Sequence, residues 1–67
     1  MFYYVNRHPQ EGGEHEVHNV HCERKPLVEH RQLLGDFISC QEALKAARQY
    51  YREVDGCYYC CPDCHRR

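Results

Sequence analysis

Tryptophan is absent from the 67 residues, methionine occurs once and phenylalanine twice. The large apolar anchors that normally fill a core are therefore scarce, and the interior must come from a few Leu, Val, Ile, Ala and Tyr side chains. No run of about 18 apolar residues occurs, which excludes a spanning helix of ordinary length. The opening MFYYVNRHPQEGGEHEV has no basic segment followed by an apolar stretch, so the expectation is a cytoplasmic protein without membrane attachment. Excess charge is missing too. The formal net charge is -1, and no global positive field draws the chain to a phosphate backbone; a nucleic-acid partner is disfavoured on that ground.

What the chain does have is cysteine: six residues, four of them with a histidine inside Gly56 to His65, GCYYCCPDCH. A domain this short buries too little surface to be secure on packing alone, and a mean hydropathy of -0.91 deepens the deficit. A metal or a cross-link is the expected remedy. In a reducing compartment clustered thiols point to metal before disulfides.

Phe2-Tyr3-Tyr4-Val5 suits a strand over about residues 2–6, and Pro9 to Gly13 carries turn chemistry. Residues 14–20 then return as a second, antiparallel strand. Glu23-Arg24-Lys25-Pro26 reads as a loop, and 32–38 as a third strand, with Leu33 and Phe37 on one face and Leu34 and Ile38 on the other. Ser39-Cys40-Gln41-Glu42 fits a capping box that opens a helix over about 40–54. Its stripe is Ala43, Leu44, Ala47, Tyr50 or Tyr51, and Val54, closed by Gly56 in a left-handed cap. The expected fold is one α+β domain over 1–67: a short antiparallel three-stranded sheet, one C-terminal helix, and a cysteine-rich tail over 56–65 stapled by zinc.

Zinc takes four nitrogen or sulfur ligands in a tetrahedron, and Cys-x2-Cys loops present two at a time. The tail holds two such loops, Cys57 to Cys60 and Cys61 to Cys64. Pro62 stiffens the second, so Cys61 and Cys64 are preferred, with Cys57 and Cys60 as alternates. The other half is expected from His18 and Cys22, four residues apart at a strand end. His21 and His65 are alternates. Glu16 shares the face of His18 and is read as solvated. Cys40, at the start of a helix of that length, is placed about 20 Å from the tail and outside its site. His15-Glu16-Val17-His18 is one residue short of the metalloprotease spacing, so protease chemistry is not expected.

The order of these blocks resembles the small zinc module of the Ada methylphosphotriester repair protein, related versions of which are appended to nucleases. The matching residues are Tyr3 to Asn6, His18 with Cys22, Phe37 with Ser39, Glu42-Ala43, Gly56 and one tail cysteine pair. The blocks GEHEVH, LGDF and GC-x2-CC-x2-CH also resemble small stand-alone bacterial proteins. The resemblance implies a zinc-bound sheet and helix. It does not imply alkyl transfer, because His18 stands where that module has its methyl-accepting cysteine.

The resulting expectation is a protein with one structural Zn²⁺ per chain and a binding or adaptor role toward a protein partner, without enzymatic activity. Two alternatives belong to other classes. One is a thiol-active or disulfide-stapled protein. The other is a nucleic-acid-binding module of the Ada type without methyl transfer.

Overall fold

A computed structural model describes all residues from Met1 to Arg67. Strands β1 (Phe2–Asn6), β2 (His15–Asn19), β3 (Arg31–Asp36) and β4 (Val54–Gly56) form one sheet in the order β3-β1-β2-β4. The pairs β1·β2 and β1·β3 are antiparallel, whereas β2·β4 is parallel. The α+β class holds, but the sheet has four strands and mixed orientation in place of three antiparallel ones.

The fourth strand comes from the stretch read as the end of the helix. Helix α1 spans Cys40–Ala47 only. Ser39 caps it as expected, its hydroxyl accepting from the Glu42 amide at 3.3 Å. At the other end the amides of Tyr50 and Tyr51 both turn back to the Ala47 carbonyl, at 2.9 and 3.0 Å. Tyr51 then stacks on His15, ring centroids 3.7 Å apart, and the chain leaves the helical path for β4. Tyr51 and Val54 do pack against the core, so the apolar spacing was sound; a turn followed by a strand satisfies it as well as a helix. Gly56 accordingly is not a helix cap. Its backbone is extended within β4, and positive φ occurs only at Gly13 and Gly35.

Gly35, with φ +133°, marks a bulge in β3: Tyr3 pairs with Gly35 and Tyr4 with Leu33, leaving Leu34 as the extra residue. The bulge breaks the simple alternation expected for 32–38. Leu34 and Phe37 both pack on the core, while Leu33 faces outward and Ile38 is 97% exposed.

Because β3 and β4 run in the same direction on opposite edges of the sheet, α1 crosses one face between them. Beneath it lie Tyr3, Val5 and Val17, met by Ala43, Leu44 and Ala47. Cys61 and Cys64 complete this core. The crossover also sets where the tail goes. β4 carries the chain back along the helix, whose eight residues span about 12 Å, toward the end at which α1 begins. There the short 3-10 turn Pro62–Cys64 meets Cys40, and the sulfurs of Cys40 and Cys64 are joined as a disulfide. The separation expected for Cys40 is thus overturned, since the tail does not hang from the helix's far end.

Candidate metal centre

The parallel pairing of β2 with β4 decides the site. Parallel strands end on the same side, so the segment after β2 and the segment after β4 emerge together. β2 itself supplies His18, its penultimate residue, and the segment after it supplies Cys22, three residues past its end. The segment after β4 supplies Cys57 and Cys60. One ligand atom from each of these four side chains lies within 4.8 Å of the other three. The Cys22 and Cys57 sulfurs are 3.9 Å apart.

His18 pairs with Tyr4 across β1·β2, while Val5 pairs with Val17, so the imidazole lies on the sheet face opposite α1. It is buried to 3% exposure, and its Nδ1 is the one buried side-chain nitrogen or oxygen with no hydrogen-bond partner. Its other nitrogen, Nε2, lies 3.4 Å from a Glu16 carboxylate oxygen. A carboxylate on one ring nitrogen and a bare second nitrogen is the arrangement of a metal-ligating histidine, in which the outer partner fixes tautomer and ring direction. Glu16 is therefore not simply solvated. The strand alternation placed it beside His18; its contact needed the burial that the sheet imposes.

The sulfurs are oriented in a similar way. The Arg24 amide donates to Cys22 Sγ at 3.4 Å, and the Asn19 amide to Cys60 Sγ at 3.3 Å. The Asn19 side chain reaches the Cys60 carbonyl at 3.4 Å, tying the two ligand loops directly to each other. Amides that donate to sulfur stabilise thiolates, as a cation bound among them requires.

Burial pushes the His18 imidazole down to about 4, assisted by the positive charges of Arg31 and Lys25, so it is neutral at pH 7 and available as a ligand. Burial likewise raises the thiols of Cys22 and Cys57, the latter to about 12. Cys60 is raised first by its hydrogen bond to Cys61, with burial next, and Cys61 is lowered by the same contact, the sulfurs being 3.6 Å apart. Without a cation the ligand thiols are held protonated. A cation at their centre reverses that preference and releases the protons.

The structure thus brings together His18, Cys22 and the first tail pair. Cys61 and Cys64, the preferred pair by sequence, lie in the core under α1, and Cys64 is already bonded to Cys40. The stiffening by Pro62 is real, but it shapes a 3-10 turn that packs on the helix. His21 is exposed and lies outside the group. His65 is committed elsewhere: Nδ1 donates to the Gly56 carbonyl at 2.9 Å and lies 3.3 Å from Asp55.

Gly56 is the hinge point of this division. A Cβ there would come within 2.7 Å of Cys64 Cβ and 2.9 Å of the Cys61 carbonyl oxygen. Only glycine lets the 3-10 turn close on β4, and that closure is made by the second Cys-x2-Cys pair alone. Asp55, 1% exposed, holds the chain beyond it by accepting from the amides of Arg66 and Arg67 at 2.7 and 3.1 Å.

No helix is long and apolar enough to cross a membrane. Comparison with protein-family models, with curated proteins and with solved structures returns no match to this chain.

Proposed function

We propose that this protein is a small zinc-binding module in which one Zn²⁺ per chain, held by His18 Nδ1 and the sulfurs of Cys22, Cys57 and Cys60, ties the β-hairpin to the C-terminal tail. The observation that carries this reading is the convergence of four ligand atoms within 4.8 Å around a buried imidazole nitrogen that nothing else satisfies. One nitrogen and three sulfurs, all buried or half-buried, suit the tetrahedral preference of zinc.

Four protein ligands fill that tetrahedron and leave no position for an activated water, which supports a structural role over a catalytic one. The module then serves as a rigid binding or adaptor unit for a protein partner. The resemblance to the Ada module supports the metal but not its alkyl chemistry, since the first ligand is His18. The net charge of -1 weighs against nucleic acid as the partner.

The deciding experiment is elemental mass spectrometry of protein purified without added metal, in three forms: wild type, Cys57→Ser and Cys61→Ser. About one zinc per chain is expected in the wild type and in Cys61→Ser, with loss in Cys57→Ser. The reverse pattern between the two variants would move the site to the second tail pair. Metal-free protein in all three forms would end the zinc reading.

A second reading, thiol–disulfide chemistry, is favoured by one specific observation, the disulfide between Cys40 and Cys64.

A further inference from the structure

Two histidines belong neither to the candidate metal centre nor to the core. His8 follows β1 and His30 precedes β3, so the antiparallel pairing of Asn6 with Arg31 brings their side chains together from distant parts of the chain. Their end of the sheet is the one opposite the cysteine loops, because β1 and β2 are antiparallel and those loops follow the ends of β2 and β4.

The two imidazole centroids are 4.0 Å apart at an interplanar angle of 64°. Edge-to-face aromatic pairs settle at about 4.5–7 Å, so these rings sit closer than their own contact favours. The backbone holds them there. The Arg7 amide donates to the His30 carbonyl at 2.7 Å, the His30 amide to the Leu27 carbonyl at 2.9 Å, and the His8 amide to the Asn6 side-chain oxygen at 2.9 Å. His15, His18 and His65 each have a ring nitrogen engaged by the protein, whereas no ring nitrogen of His8 or His30 has a hydrogen-bond or ion-pair partner there. His8 is exposed and His30 half-buried, so the pair is open to an ion from solvent.

We propose that His8 and His30 form a second metal site, a surface chelate for a divalent nickel or copper ion whose remaining positions are filled by water. An imidazole nitrogen binds such an ion at about 2.0–2.1 Å, so two of them in adjacent positions lie roughly 3 Å apart. Rings with centroids 4.0 Å apart reach that spacing by small rotations about their side-chain bonds. The donor set selects the ion. Two nitrogens and water suit the tetragonal preference of nickel and copper, whereas zinc takes three or four protein ligands. Chelation is what separates the pair from a single surface histidine such as His21. Once one imidazole holds the ion, the second meets it at the effective concentration set by the fixed backbone.

The test titrates nickel chloride into the full chain, made without a polyhistidine tag and carrying whatever metal it retains from purification. Nickel is used because thiols reduce cupric ion. Nickel with nitrogen and water ligands is paramagnetic and erases the NMR signals of nuclei beside it. The signals of His8 and His30 should vanish first, with those of His21 needing about tenfold more nickel or beyond. His8→Asn and His30→Asn should each raise the nickel needed at the remaining histidine of the pair by at least about tenfold, and the double variant should abolish the early loss. A single variant that leaves the remaining histidine's response unaltered would overturn the proposal, as would loss of the His21 signals in parallel with those of His8. Nickel entering the cysteine loops first, read as a nickel–thiolate charge-transfer absorption with release of any resident ion, would overturn it too.

Both histidines stand outside the proposed zinc ligands, and the titration adds metal without withdrawing any. Elemental analysis of the same sample before nickel is added reads the zinc proposal on its own. A zinc-free chain with early loss at His8 and His30 would sink that proposal and keep this one; a zinc-loaded chain in which the pair responds no sooner than His21 would do the reverse.

Discussion

The tail contains the same Cys-x2-Cys pattern twice in succession, and the two copies have opposite fates. Cys57 and Cys60 turn toward His18 and Cys22, whereas Cys61 and Cys64 turn under the helix, where both are core residues and Cys64 is also bonded to Cys40. Spacing within a pair does not distinguish them. What distinguishes them is the close contact with Gly56, which the second pair makes, and the partners the sheet brings beside the first. A ligand motif is half of a site, and topology supplies the other half.

The sharpest way to break the contrast is to remove the metal that the centre is proposed to hold. Chelation should collapse the dispersion of the amide NMR spectrum, because binding free energies of structural zinc in small domains are on the order of 10 kcal/mol and act as folding energy. An unchanged, dispersed spectrum would show that the core under α1 stands without the centre.

Removing the other sulfur link should cost less. Cys40→Ala/Cys64→Ala opens a loop with a sequence separation of 24, for which chain entropy gives about 3 kcal/mol of lost stability. Denaturant titration would measure it, and zinc stoichiometry should be unaltered. Loss of zinc in that variant would mean that the two sulfur regions are not independent.

Gly56→Ala attacks the contact that separates them. The added methyl has backbone and a Cβ carbon to displace, not a flexible side-chain tip, so a loss of about 1–3 kcal/mol is expected by thermal or chemical unfolding. Glu16→Gln should preserve the fold and weaken zinc about 10- to 100-fold, read by competition with a chromophoric chelator. Unaltered affinity would reduce the Glu16 contact to incidental proximity. The smallest effect belongs to Ser39→Ala, which removes the helix cap without touching a ligand residue and should cost about 1 kcal/mol.

How far these features were legible in the sequence differs by element. The first two strands and the Ser39 cap follow from local chemistry: aromatic and β-branched residues in one case, a hydroxyl three residues before a glutamate in the other. His18 and Cys22 were legible because strand end and spacing coincide. The fourth strand was not. Val54-Asp55-Gly56 is three residues long and contains two strand-poor residue types, and its valine also continued the helical stripe. Everything that depended on that strand was lost with it: the mixed sheet, the choice of the first tail pair, and the approach of Cys40 to Cys64. Leu34 and Ile38 were misplaced for a different reason, since a bulge at Gly35 shifts the alternation by one residue and no pattern of apolar residues announces it.

The parallel pairing of β2 with β4 also orders events in time. Cys22 and Cys57 are separated by 35 residues, with the third strand and the crossover helix between them in the chain, so their meeting is expected late in folding. Contacts of that range close late, because the loop entropy must be met before they yield anything. The ligand set is in this sense a clock hand for the folding chain. Cobalt substituted for zinc would show its tetrahedral absorption only when the last strand docks, so the growth of that colour would date the final step of assembly.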